Sequence, residues 1–223
     1  MNSMNFAQVS FASLTYFDAD LAAHCQRVSN LARLMVIQLG YQDLLAELVG
    51  SAGIIHDIGK VGIPAEIQNK PGPLTPEEWT IIKTHPERGM QYLDLAGWQG
   101  EPISSIIYSH HERWDGSGYP MGLRGEAIFI GARLVSVADA WDAMLSSRPY
   151  KRAYSMKRAS WEMKSAAGVQ FDPKMVNCLI GLVEEGRLCE AGLDYLAKHS
   201  SCLETNMRPN MLAEDPVRPC FSG

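Results

Sequence analysis

The chain has 223 residues, of which 46% are hydrophobic and 20% charged, with a formal net charge of -5. This is the composition of an ordinary globular protein long enough to bury a core, and its acidity excludes a general nucleic-acid binder, which needs a basic surface to displace counterions. No apolar run approaches the roughly 18 residues of a membrane span, the first residues lack the basic-then-apolar order of a secretory leader, and the five scattered cysteines form no C-x-x-C pair, so a reducing, cytoplasmic setting is the expectation.

Residues 1–17 show no periodicity and read as an N-terminal cover or the remnant of a linker. From Asp18 to Leu39, His24, Val28, Leu31 and Met35 recur at spacings of four, three and four, which predicts a helix closed by Gly40. His24 therefore shares a face with core residues, either as a core histidine satisfied by a carbonyl or as a metal ligand. Asp20 precedes it by four, on the same face, where carboxylate and imidazole could reach one ion. Leu44, Leu45, Leu48, Val49 and Ala52 form a second apolar stripe, predicting a buried helix that ends at Gly59. His56 and Asp57 lie at that end, a nitrogen and an oxygen donor side by side, the carboxylate having a second oxygen with which to bridge to another ion.

Thr75, Pro76 and Glu78 have the form of a capping box with proline at the first helical position, and that helix is expected to run to Thr84. His85 follows, held at a junction by Pro86, which is placed to start the next helix. The junction suits a ligand or a simple kink. Pro102–Glu112 is predicted as a helix carrying His110 and His111 at its end. Adjacent helical residues diverge by about 100°, so the two rings are expected to serve two neighbouring ions rather than one. Asp115–Pro120 is a loop with turn residues at nearly every position. Ile130–Leu145 is helical, with Asp139 in apolar surroundings where it needs a cation or an arginine. Arg148 and Lys151 follow, solvated or holding a phosphate. Helices at Met156–Ala167, capped by Ser155, from Asp172 and Pro173, and near 191–198 complete the scaffold. Residues 18–199 read as one domain, and 200–223 as an irregular C-terminal tail.

Five of the six histidines lie in the first half of the chain, each near a carboxylate or another histidine, as when a metal centre is assembled from several helices of a bundle. His56-Asp57-Ile58-Gly59-Lys60, His85-Pro86, His110-His111-Glu112-Arg113, Asp115-Gly116-Ser117-Gly118-Tyr119-Pro120, Ala138-Asp139 with Asp142-Ala143, Arg148-Pro149-Tyr150-Lys151 and Gln170-Phe171-Asp172-Pro173 occur in that order. In this the chain resembles the HD-GYP domains, metal-dependent cyclic di-GMP phosphodiesterases of the HD superfamily. The resemblance implies an all-α multi-helix bundle with a short Gly-rich loop and room for a small β-hairpin. It implies metal ligands at His24, His56, Asp57, His85, His110, His111 and Asp139, with Asp57 bridging and Asp20 as a candidate ligand to a third metal. Lys60 and Asp57 would be catalytic, and Lys60, Tyr119, Arg148 and Lys151 would bind substrate. The expected cofactors are two or three divalent ions, iron or manganese before zinc. The expected reaction is hydrolysis of cyclic di-GMP to linear pGpG and onward to GMP. Signalling-protein partners and a homodimer are further expectations. A phosphohydrolase of another nucleotide and a non-catalytic cyclic di-GMP receptor are the alternatives.

Overall fold

The computed structural model describes residues 12, 14–98, 100–147 and 152–188, and among these nine α-helices carry the fold. They are α1 (Ala19–Gln38), α2 (Asp43–Ile55), α3 (Ala65–Gln68), α4 (Pro76–Ile82), α5 (His85–Leu95), α6 (Ile103–Ser109), α7 (Ile130–Leu145), α8 (Met156–Ala166) and α9 (Pro173–Glu184), with 3-10 turns at Ile58–Gly62 and Gly125–Ala127. The all-α expectation holds. No strand forms among the described residues, where the only β-type pairing is an isolated bridge between Ala167 and Phe171, so the expected hairpin is absent there. None of the described helices is long and apolar enough to cross a membrane.

The centre of the bundle is α1, packed on α2 and α7. Its apolar stripe, Val28, Leu31, Ala32 and Met35, is fully buried, as are Val49 and Ala52 of α2 and Leu134, Ala138 and Trp141 of α7. Each large side chain of this kind contributes about 2 kcal/mol by leaving water. The first two helices approach closely because Gly53 faces Ser29, where an added Cβ would stand 2.8 Å from the Ser29 Cα. Ser29 Oγ also donates to the Gly50 carbonyl at 2.7 Å.

Helix starts follow local chemistry. Asp18 caps α1 by accepting from the Leu21 amide, Thr75 and Glu78 form the predicted capping box of α4, Pro86 lies in the first turn of α5, and Ser155 and Asp172 cap α8 and α9. Helix ends depart from the sequence reading at two places. The second helix stops at Ile55 rather than at Gly59, which lies instead in the 3-10 turn. Gly59 is pressed against α5, where a Cβ would meet the His85 carbonyl oxygen at 1.9 Å. The sixth stops at Ser109, so His110 and His111 lie beyond regular helix. The N-terminal segment up to residue 11, the helix expected near 191–198, the tail 200–223, and Arg148 and Lys151 fall outside the described residues.

Candidate metal centre

Five helices deliver their ends or faces to one point. His24 comes from the middle of α1, His56 and Asp57 from the turn after α2, His85 from the first residue of α5, His110 and His111 from the turn after α6, and Asp139 from α7. His56, Asp57, His85 and His110 are essentially inaccessible to solvent. Their donor atoms fall into two sets, His24 with His56 and Asp57, and Asp57 with His85, His110 and His111, each within 4.8 Å of one another. Asp57 belongs to both. Its Oδ2 faces His24 Nε2 at 3.9 Å and His56 Nε2 at 3.4 Å, and its Oδ1 faces His85 Nε2 at 3.3 Å and His110 Nε2 at 3.8 Å. Asp139 joins the first set, its Oδ1 3.1 Å from His24 Nε2 and 4.0 Å from His56 Nε2.

The rings are held by one recurrent device. Nδ1 of His56 lies 2.8 Å from the Gly53 carbonyl, Nδ1 of His85 2.8 Å from that of Ile82, and Nδ1 of His110 2.7 Å from that of Ile107. A carbonyl can only accept, so each Nδ1 carries a hydrogen and each Nε2 is the nitrogen left facing the cage, the orientation a metal ligand needs. Two consequences follow. Nε2 of His85 and Nε2 of His110 face each other at 3.2 Å, a repulsive arrangement of lone pairs without a cation or proton between them. Nε2 of His56 and Oδ1 of Asp57 are buried with no hydrogen-bond partner, a costly condition that a coordinated ion relieves. Imidazole nitrogens mixed with carboxylate oxygens suit first-row divalent ions, so the residues present fit a metal centre.

Electrostatics divide the cage. Burial holds the Asp57 carboxyl back from ionising, but Lys60 and His56 outweigh it and keep the group well below the usual carboxylate range. The Lys60 ammonium lies 2.5 Å from Asp57 Oδ2 and is strengthened by that carboxylate against the opposing effect of burial. His85 is pushed down to about 3 and His111 well below the usual imidazole value, chiefly by burial, so both rings are neutral donors at physiological pH. His24 and His56 are the opposite case: burial is overcome at His24 by its bonds to Asp139 and Asp142, which raise it to about 9, and at His56 chiefly by the Asp57 carboxylate, which raises it well above the usual imidazole value.

The expected site residues meet with three exceptions. Asp20 is exposed and belongs to neither donor set; one turn ahead of His24, it sits at the exposed start of α1, away from the buried end faces that build the cage. Arg148 and Lys151 lie outside the described residues. His110 and His111, read from the sequence as able to serve two neighbouring ions, fall in one donor set with ring centroids 4.1 Å apart. The divergence of neighbouring helical residues does not apply once α6 has ended at Ser109.

Two residues that the motifs contained, Asp142 and Glu112, take on roles that emerge only from the fold. Asp142 accepts from Arg27 Nε at 2.6 Å and lies 2.7 Å from His24 Nδ1, so it orients the ring from behind. The spacing of Asp139 and Asp142, three apart on one helix face, was the available signal. Glu112 is buried and its carboxylate accepts from the Met121 and Leu123 amides at 2.6 and 3.0 Å, clamping the Gly-rich loop. That loop places Tyr119 on His111, with ring centroids 5.0 Å apart and nearly parallel. Burial, then the nearby Asp57 and Asp139, push the Tyr119 phenol above its usual range, so it stays a neutral hydrogen-bond donor. The loop's first residues pair with the turn before α9 through Trp114 N to Gln170 O at 3.0 Å and Asp115 N to Val169 O at 2.9 Å.

Comparison with known proteins agrees with this geometry. The chain is 40% identical over 181 residues to the cyclic di-GMP phosphodiesterase response regulator RpfG of Xanthomonas campestris pv. campestris, covering 79% of this chain and 47% of that protein. It is 39% identical over 174 residues to a cyclic di-GMP phosphodiesterase of Thermotoga maritima, covering 76% and 46%. The chain thus spans about half the length of these curated relatives. Among solved structures, Bd1817, an HDG"Y"P protein from Bdellovibrio bacteriovorus, shares the fold with a TM-score of 0.61 at 23% identity, over 72% of this chain and 51% of that one. The profile of the family described as HD domain matches residues 17–175, and with the buried His56-Asp57 pair at the centre of the cage, the chain belongs to the HD-domain family.

Proposed function

We propose that this chain is a metal-dependent phosphodiesterase that opens cyclic di-GMP to linear pGpG and can cut the product again to GMP. The observation that carries this reading is Asp57, shared by two inward-facing donor sets in a chain whose relatives are named for that activity. His24, His56, Asp57 and Asp139 would hold one divalent ion and Asp57, His85, His110 and His111 a second, iron or manganese fitting the mixed nitrogen and oxygen donors. When bound, such ions supply Lewis acidity and make water nucleophilic at neutral pH.

The chain's own residues do the rest. Lys60 keeps about a quarter of its side chain exposed while its ammonium rests on Asp57, so it can turn toward a phosphate and offset charge developing on the phosphoryl oxygens or the departing ribose oxygen. Tyr119 offers a neutral hydroxyl and a ring face at the side of the cage. By their place in the motif, Arg148 and Lys151 take phosphate oxygens, Arg by a fork and Lys as a point charge.

The test is chromatography of products after incubating metal-loaded protein with cyclic di-GMP, cyclic GMP-AMP and a deoxynucleoside triphosphate in parallel. Cyclic di-GMP should yield pGpG, and Asp57→Ala should lose metal from both donor sets together with at least about a thousandfold in turnover. Cyclic di-GMP recovered intact from metal-loaded protein would favour the receptor alternative, and an Asp57→Ala variant that is active and metal-replete would overturn the scheme.

A further inference from the structure

The junction that brings His85 to the cage also brings Lys83. It is the C-cap of α4, two residues before His85, in a segment fixed on both sides. Thr84 Oγ1 donates to the Ile81 carbonyl at 2.7 Å, Arg88 Nε donates to Thr84 Oγ1 at 2.9 Å, and His85 Nδ1 donates to the Ile82 carbonyl. The backbone at Lys83 is therefore held by the same bonds that aim a metal ligand. Its side chain is exposed, and its ammonium lies 5.6 Å from the centroid of the Tyr119 ring, which in turn stacks on His111. Lys60, Lys70 and Lys164 each pair with a carboxylate, whereas Lys83, like the more distant Lys157 and Lys174, forms no ion pair among the described residues. An ammonium held over the ring of the loop tyrosine has no carboxylate partner among the described residues to account for its placement. The contact with the ring contributes only about 0.5–1 kcal/mol at an exposed site.

We propose that Lys83 is a substrate-binding residue that takes a phosphate oxygen of the cyclic dinucleotide outside the cage, on the diester that is not being cut. The inference rests on the phosphodiesterase reading above. A cyclic dinucleotide has two diesters: the one under attack lies with Lys60 against the buried donors, and the other must lie beyond Tyr119 or a neighbouring part of the rim. Lys83 supplies the positive charge on the Tyr119 side.

Steady-state kinetics on the full, metal-loaded chain test this with Lys83→Met, which keeps the stem over the ring, and Lys83→Arg, which keeps the charge. Selectivity is read as the ratio of kcat/KM for cyclic di-GMP to that for bis(p-nitrophenyl) phosphate, a substrate with one diester. Lys83→Met should lower this ratio about tenfold, the value of one charge-assisted hydrogen bond. The loss should come through KM for the dinucleotide, flatten its dependence on ionic strength, and be restored by Lys83→Arg. An unchanged ratio, or an equal fall for both substrates, overturns the assignment of Lys83 and leaves the phosphodiesterase reading standing. A wild-type chain that does not cleave cyclic di-GMP sinks both.

Discussion

His24 holds a proton that the rings across the cage do not. Its Nε2 meets Asp139 at 3.1 Å and its Nδ1 meets Asp142 at 2.7 Å, so in the metal-free protein both nitrogens donate and the ring is cationic. The folded value of about 9 lies above the ordinary 6.5. The stabilisation from this proton is therefore full below pH 6.5 and fades as pH rises through 9. A metal ion competes for the same Nε2. Adding divalent metal to metal-free protein in weakly buffered solution at pH 7.5 should release at least one proton per chain, and affinity should weaken as pH falls. His85 and His111, pushed the other way, release none. Metal uptake without proton release, measured with an indicator dye, would show that the His24 ring is neutral. Little of this was legible beforehand: the 3.6-residue period put His24 on the core face, but it could not show that Arg27 and Asp142, 115 positions apart, would meet behind it.

At the scale of elements, periodicity and capping signals located α1, α7, α8 and α9 to within a residue or two, because those helices bury one continuous stripe and their caps are local. The ends of α2 and α6 were placed too late. Each stops before its ligands, and what stops it is a demand from elsewhere in the fold. Gly59 shows the demand most clearly, for the 3-10 turn runs so close to α5 that a Cβ would meet the His85 carbonyl at 1.9 Å and the Gly89 amide nitrogen at 2.5 Å. Both are backbone atoms and cannot rotate aside. Gly59→Ala should therefore displace the start of α5, with a loss of about 3 kcal/mol. The melting temperature should fall by roughly 6–12 °C, and metal should be lost first from the set that includes His85. A thermal melt matching wild type with full metal content would show that the two backbones can part freely.

Taken whole, the molecule brings together donor atoms drawn from positions 24 to 139, so ions held among them would cross-link five of its helices. Binding that requires the folded arrangement stabilises it by mass action, about 4 kcal/mol when free metal exceeds its dissociation constant a thousandfold. Chelation should lower the melting temperature by roughly 8–16 °C, and readdition of the divalent ion should restore it; coincident melts with and without chelator would mean that the cage is not loaded. The motifs made the membership of the cage readable in the sequence, since His56, Asp57, His85, His110, His111 and Asp139 all converge. Its division into two sets sharing Asp57 was foreshadowed by the second oxygen of that carboxylate and by the bridging role that the resemblance implied. The exposure of Asp20 was hidden, because a helical face says which residues align and not how far along the axis the buried pocket extends.

The carbonyls that grip three of the rings have a second significance. Gly53, Ile82 and Ile107 stand in the last turns of α2, α4 and α6, where carbonyls lack an amide from a following turn. The imidazoles of His56, His85 and His110 therefore act as terminators, each closing the helix it follows. Ligation through Nε2 and helix termination through Nδ1 share one ring at these positions, so truncating any of these histidines to alanine frays a helix as well as emptying a ligand position. A catalytically silent chain with its metal and scaffold retained is better sought at Lys60, which belongs to neither donor set.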